Sequence, residues 1–191
     1  MIEIACWNIR EGSRANTARA LQQSKFDFIA LQEVGITKVG GLLCPGGNHF
    51  SVWTSGRAAL YVNKRVALET LVIGSGKDWA SVRIGEGESA VTIWSIYSPS
   101  PAGAKWTSPL QELPYEPPPG RHVLLGDFNL HHPLWDLSGR TSYGSEELLE
   151  FMARWDLRLA TPPGEPTRVM NNQRDSTIDL TWASEELALT Y

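Results

Sequence analysis

The chain has 191 residues, of which 42% are hydrophobic and 20% charged, with a formal net charge of −4 and eight tryptophans as its compositional outlier. That length supports one well-buried core and is short for two domains, and the acidic balance argues against non-specific clinging to polyanions, leaving nucleic acid to a local basic face or to bound cations. Cys6 and Cys44 have no metal-type spacing and are too few for a disulfide framework, the N-terminus lacks a signal peptide's basic region, and no apolar run approaches a membrane span; reduced thiols in a soluble, intracellular protein are expected.

The run 2–9 reads as a central strand ending in Trp7-Asn8, where an amide behind a buried tryptophan needs partners. Asn16 is placed to cap a helix reaching about Lys25, with Ala18, Leu21 and Gln22 on its repeating face. Residues 26–34 are apolar and β-rich until Gln32-Glu33. Strand, helix and strand in so short a space imply a parallel pair with a right-handed crossover, so Asn8 and Glu33 emerge at the same sheet edge. Residues 35–48 are glycine-rich and loop-like. Strands at 50–54, 58–63, 67–73 and 79–84 follow, with short turns that suggest antiparallel hairpins. A further strand, 90–97, brings Tyr97 to its end before a proline-rich surface excursion, 101–120, with a helical turn near Leu110.

Val123, Leu124 and Leu125 form an apolar run without helical period, as a strand buried on both faces does, and Gly126 is expected to end it. Asp127 and Asn129 then stand two positions apart on the strand's extension and project the same way. An anionic acceptor and an amide can together position a water or a phosphate oxygen; the competing reading is an ordinary Asx turn opened by Asp127. After Pro133-Leu134-Trp135, Ser145 is placed to cap a helix with Leu148, Leu149, Met152 and Trp155 on its buried stripe. A short strand at 157–160, the breaker Pro162-Pro163-Gly164, and a hairpin with a polar tip at 171–175 complete the pattern, with Ser184 opening a last helical turn.

Asn8, Glu33, Tyr97, Asp127 with Asn129, and Asp179 thus follow apolar runs, and ligands of open α/β sheets gather where strand ends converge. Acidic oxygens without clustered His or Cys suit Mg²⁺, or Mn²⁺ in its place, rather than zinc. Glu33 is the first candidate for metal ligand, with Asn8 or Asp179 joining it. Phosphate-ester chemistry needs such a cation, an oriented water and donors around the phosphoryl group, and Asn8, Asn129 and Tyr97 supply donors while Asp127 holds water. The plainer readings are a solvated Glu33, a loop-packing Tyr97 and an Asp179 that caps a turn.

Trp7-Asn8, Gln32-Glu33, Tyr97-Ser98-Pro99, Gly126-Asp127-Phe128-Asn129 and Ser176-Thr177-Ile178-Asp179, in this order and at these gaps, resemble the endonuclease/exonuclease/phosphatase (deoxyribonuclease I-like) superfamily. The variants Trp-Asn-Ile-Arg and Asn-Leu-His-His-Pro-Leu-Trp resemble more narrowly the endonuclease domain of non-LTR retrotransposons. The resemblance spans essentially the whole chain. It implies a four-layer α/β sandwich of two mostly antiparallel sheets flanked by helices. It further implies that Glu33 holds a divalent metal with Asn8 beside it, that Asp127 orients the attacking water, that Asn129 contacts the phosphate, that Tyr97 supports the transition state and that Asp179 orients a histidine.

The family's terminal Ser-Asp-His strand has no counterpart after Asp179, and the four histidines are His49, His122, His131 and His132. A single domain cut short before its last strand is the favoured explanation, leaving a sheet edge open to strand exchange. A degenerate copy, or replacement by His131 or His132, are the others, and the plainer role for that pair is bracing their loop against Trp135. Ser100, where abasic-site enzymes carry Asn, weakens that assignment. For DNA contact the resemblance points to the hairpin with Arg168, Asn171, Asn172, Arg174 and Ser176, which otherwise is a solvated turn; Arg10, Arg14 and Arg140 are expected near the cleft mouth. The expectation is a Mg²⁺-dependent endonuclease nicking double-stranded DNA, nuclear if it serves a retrotransposon. The alternatives are a non-catalytic DNA-binding or protein-interaction module on the same fold, and a phosphatase of a small substrate.

Overall fold

The computed structural model describes residues 2–9, 14–35, 47–67, 70–101, 107–169 and 175–187. The first sheet contains β1 (Ile4–Asn8), β2 (Phe28–Gln32), β3 (Phe50–Ser55) and β4 (Ala58–Asn63) in the order β1-β2-β4-β3, with α1 (Arg14–Gln23) crossing between β1 and β2. The second contains β5 (Thr70–Gly76), β6 (Trp79–Ile84), β7 (Val91–Tyr97), β8 (Arg121–Asp127), β9 (Leu157–Leu159) and β10 (Asp179–Ser184) in the order β5-β6-β7-β8-β10-β9, with α2 (Ser145–Arg154) between β8 and β9. Each sheet has one parallel pair, β1 with β2 and β7 with β8; the other described pairs are antiparallel.

Period-two alternation sorts the side chains into three cores and so into four layers. Leu21 of α1 packs with Ile29, Leu31, Ala59 and Tyr61 on the outer face of the first sheet. Phe28, Ala30, Leu60 and Val62 meet Val82, Ile93, Val123 and Leu125 between the sheets. Trp94, Leu124, Leu180 and Trp182 carry α2 through Leu148, Phe151 and Met152 on the outer face of the second. The same alternation turns Asn8 on β1, Tyr97 on β7, Asp127 on β8 and Asp179 on β10 toward the inter-sheet side at one rim. A buried bond from Gln32 Nε2 to Ser95 Oγ, 3.1 Å, ties the two sheets just behind them.

Several expectations are corrected. Gly126 does not end its strand: β8 runs through Asp127, which pairs with Tyr97 on one side and Asp179 on the other. Gly126 is there because β7 passes so close that a Cβ would sit 1.8 Å from the Ile96 carbonyl oxygen. Asn16 lies inside α1 rather than capping it, and Gln22 is exposed. The cap position of α2 is Gly144 in left-handed backbone, while Ser145 is the first helical residue and donates to the Ser142 carbonyl at 2.8 Å. Phe151 joins the α2 stripe, from which Leu149 is only half-buried. Ser184 closes β10 instead of opening a helical turn. β4 and β5 form no hairpin, because the chain changes sheets between them.

Trp7 is 42% exposed rather than buried. It lies on β1, which among the described residues is paired only on its β2 side. The four-stranded sheet is narrower than the six-stranded one, and beside β1 a groove is lined by Val123, Leu125 and Asp127 of β8 and by Asp179 and Thr181 of β10. No helix among the described residues is long and apolar enough to cross a membrane.

Candidate active site

A groove of about 1390 Å³ opens where the first sheet stops short of the second. Its floor is apolar, from Ile4, Cys6, Val123, Leu125 and Ile178, and its rim carries Asn8, Glu33, Tyr97, Asp127, Asn129 and Asp179. All six strand-end residues singled out in the sequence therefore share one cavity.

The parallel register Asn8↔Gln32 brings Glu33 one residue beyond the end of β2, beside Asn8. The Asn8 amide donates to Glu33 Oε1 at 3.1 Å and to Asp127 Oδ2 at 2.5 Å. Asp127 Oδ1 accepts the Asn129 backbone N–H at 2.9 Å, a local Asx turn, and Asn129 Nδ2 donates to the Ser98 carbonyl at 3.0 Å. The turn expected as the plain alternative is thus present and is part of how the site is built. Glu33 and Asn129 both sit in left-handed backbone, φ 54° and 50°. For a glutamate that conformation is costly, and such strain persists where surrounding structure fixes it.

Burial, then the neighbouring charge of Asp179, pushes Asp127 up to about 7, against the hydrogen bonds from Asn8 and Asn129 that pull it down. Burial likewise raises the Tyr97 phenol, although Arg57 beside it acts the other way. Burial and the same two aspartates raise the thiol of Cys6, a residue of the groove floor, well above its ordinary value. Cys44 lies outside the described residues.

Arg57 and its partner Asp78 are neighbours of the rim that the sequence does not announce. Arg57 stacks on Tyr97, 4.2 Å from the ring centroid, and its Nη1 donates to Tyr97 Oη at 3.3 Å. Both lie in turns, and only the folded register brings them to the rim.

The histidines lie elsewhere. His122 is buried, accepting from the Trp94 indole at Nδ1 and pairing with the Pro118 carbonyl through Nε2. His131 Nδ1 pairs with Asp136, whereas His132 stacks on Trp135 with ring centroids 5.0 Å apart. Neither lines the groove, nor does His49. Of the expected DNA-contacting residues, Arg168 is half-buried on the groove wall with no partner for its buried Nε. Ser176 is buried and bridges Arg168 through its backbone. Arg10, Asn171, Asn172 and Arg174 lie outside the described residues, as does the side chain of Arg14. Arg140 is exposed, bonded to Ser138, and away from the groove.

Two facing sheets with helices outside them make an α/β sandwich that gathers carboxylates and amides at one rim. A family model described as endonuclease-reverse transcriptase matches residues 91–190, more than half of the chain. The chain belongs to this family, within the endonuclease/exonuclease/phosphatase superfamily. Among solved structures, it is similar to the endonuclease domain of TRAS1, a telomere-specific non-LTR retrotransposon: TM-score 0.69 and 16% identity, covering 97% of this chain and 85% of that one. An endonuclease/exonuclease/phosphatase family protein from Leptotrichia buccalis gives 0.59 and 13%, over 98% and 89%. Truncated Caenorhabditis elegans TDP2 gives 0.54 and 13%, over 97% and 85%. At these identities the likeness is one of fold. No curated protein matches the chain in a sequence comparison.

Proposed function

We propose that this chain is a metal-dependent endonuclease domain that nicks double-stranded DNA, as in target-site cleavage by a non-LTR retrotransposon. The observation that carries the reading is the Asn8 amide shared between Glu33 and Asp127 at the mouth of a groove that also holds Tyr97, Asn129 and Asp179.

The donor set fits a hard divalent cation. Its oxygens come from carboxylates and amides, and burial, then the charge of Asp179, holds Asp127 partly protonated near neutrality. No group of three or more His, Cys, Asp or Glu close enough to hold a metal occurs among the described residues. Mg²⁺ takes one or two carboxylates and keeps most of its waters. Glu33 would hold the ion with Asn8 beside it. When bound, it would neutralise charge developing on the phosphate oxygens.

The chain's own residues divide the remaining work. Asp127, ionised above about pH 7, accepts a proton from the water whose oxygen adds to phosphorus as a P–O bond to the sugar breaks, and the departing sugar oxygen takes a proton from solvent. Asn8 and the Asn129 backbone orient that carboxylate. The free N–H of the Asn129 amide and the phenol of Tyr97 donate to phosphate oxygens. Arg168, on the groove wall, would meet a backbone phosphate.

The engagement of the described histidines away from the groove favours a second reading, a non-catalytic DNA-binding module. Conversion of supercoiled plasmid to open circles with Mg²⁺ or Mn²⁺, stopped by EDTA and lost in Asp127→Ala, is the expected result. Retained DNA binding without any metal-dependent nicking would instead establish the module.

A further inference from the structure

Arg57 occupies the turn joining β3 to β4 in the first sheet, and Asp78 the turn joining β5 to β6 in the second. The two turns interlock at the site's rim. Asp78 Oδ1 accepts the Arg57 backbone N–H at 2.8 Å, and its carboxylate pairs with the guanidinium, Nη2 to Oδ2 at 3.3 Å. Gly56, at φ +55°, is shaped for this approach, since a Cβ there would lie 2.4 Å from Asp78 Oδ1. The Asp78 carbonyl accepts the Tyr97 backbone N–H at 2.9 Å, and the Arg57 carbonyl accepts that of Val34, next to Glu33, at 3.3 Å. One ion pair therefore fixes where the guanidinium lies relative to both Tyr97 and Glu33. Asp78 is buried, whereas the Arg57 side chain remains 41% exposed.

The guanidinium has donors and no acceptor. Its bond to Tyr97 Oη consequently runs in one sense only, from Arg57 to the phenol oxygen. The phenolic hydrogen is thereby turned away from Arg57 and left for an acceptor in the groove that Tyr97 lines. A cation held over the ring also makes that O–H a stronger donor.

We propose that Arg57 is the positioning residue for Tyr97, aiming its hydroxyl hydrogen at a phosphate oxygen of the substrate, with Asp78 as its anchor. This rests on the phosphodiesterase reading for the identity of the acceptor, but the geometry between Arg57 and Tyr97 does not depend on it.

The test is a double-mutant cycle with Arg57→Met, which keeps the apolar stem over the ring, and Tyr97→Phe. Arg57→Met is expected to lower kcat for nicking about tenfold with little change in KM, less than the loss from removing a direct oxyanion donor. In the Tyr97→Phe background the same change is expected to cost less than about twofold, because its target is gone. Arg57→Lys, with a donor but no fork, is expected to recover only part of the rate.

A second readout needs no activity. The groups facing the phenol are Arg57, Glu33, Asp127 and Asp78, of which only Arg57 is cationic. Ultraviolet titration, taken as the difference between each parent and its Tyr97→Phe partner, is expected to place the Tyr97 midpoint higher in Arg57→Met than in the natural chain. Additive rate losses, or an unmoved midpoint in a variant with native circular dichroism, would overturn the proposal. Should the natural chain fail to nick DNA, the nuclease reading falls and the titration alone decides this one.

Discussion

Asn8 Nδ2 lies 2.5 Å from Asp127 Oδ2 although 119 positions separate the two residues in the chain. This contact joins opposite sheets, and its loss has a signed consequence. The hydrogen bond from Asn8 lowers the Asp127 pKa against burial and Asp179. Asn8→Ala should therefore move the acidic limb of the nicking pH profile to higher pH, by about half to one unit, and reduce the rate about a hundredfold. A limb that stays in place would mean that Asp127 is not the group whose ionisation the rate follows.

The raised Asp127 pKa is also a statement about stability. Burial holds the group protonated in the folded chain up to about pH 7, whereas the unfolded chain ionises near 3.8. Between those values the folded state binds the extra proton, so the stability contributed by this group falls as pH rises from about 4 to about 7 and stays low above. Across the window the change is of order 4 kcal/mol. Asp127→Asn lacks this dependence. The difference in Tm between the natural chain and this variant, followed from pH 5 to pH 8.5, should move in favour of the variant up to about pH 7 and then level off; a constant difference throughout would contradict the burial argument.

Gly126 tests the close approach of β7 and β8. A methyl group there would collide with the Ile96 backbone, which has no flexible end to give way. Gly126→Ala should lose about 2–4 kcal/mol of stability, read by urea unfolding, and disturb Asp127 next to it. Unchanged stability would show that the two strands separate at little cost.

Arg168 offers a test of the groove wall. If its guanidinium meets a DNA phosphate, Arg168→Ala should reduce the slope of log affinity against log salt by about one, with weakening that is the same for all sequences. Fluorescence anisotropy at several salt concentrations reads this directly. An unchanged slope would remove Arg168 from the interface.

Much of the rim was legible because strands impose a simple rule. An apolar run ending in a polar residue places that residue at a sheet edge, and the β1–α1–β2 crossover puts Asn8 and Glu33 at the same edge without further information. The parity of β7, β8 and β10, odd residues inward, brings Tyr97, Asp127 and Asp179 to that side as well. Arg57 and Asp78 were not legible, since each looks like an ordinary turn residue and their meeting depends on how two sheets are stacked. Trp7 misled for a related reason: its hydrophobicity reads as burial, whereas the neighbour that would cover it depends on strand order. The cap of α2 shifted by one residue because Gly144 adopts the left-handed conformation that a serine at that point would resist.

Asn8 sits on a strand that, among the described residues, is paired on its β2 flank alone. A polypeptide zipping onto the other flank would stiffen the very backbone that presents the shared amide, and would roof the groove from the side. The edge that offers backbone hydrogen bonds to a partner and the amide shared by Glu33 and Asp127 thus belong to one strand.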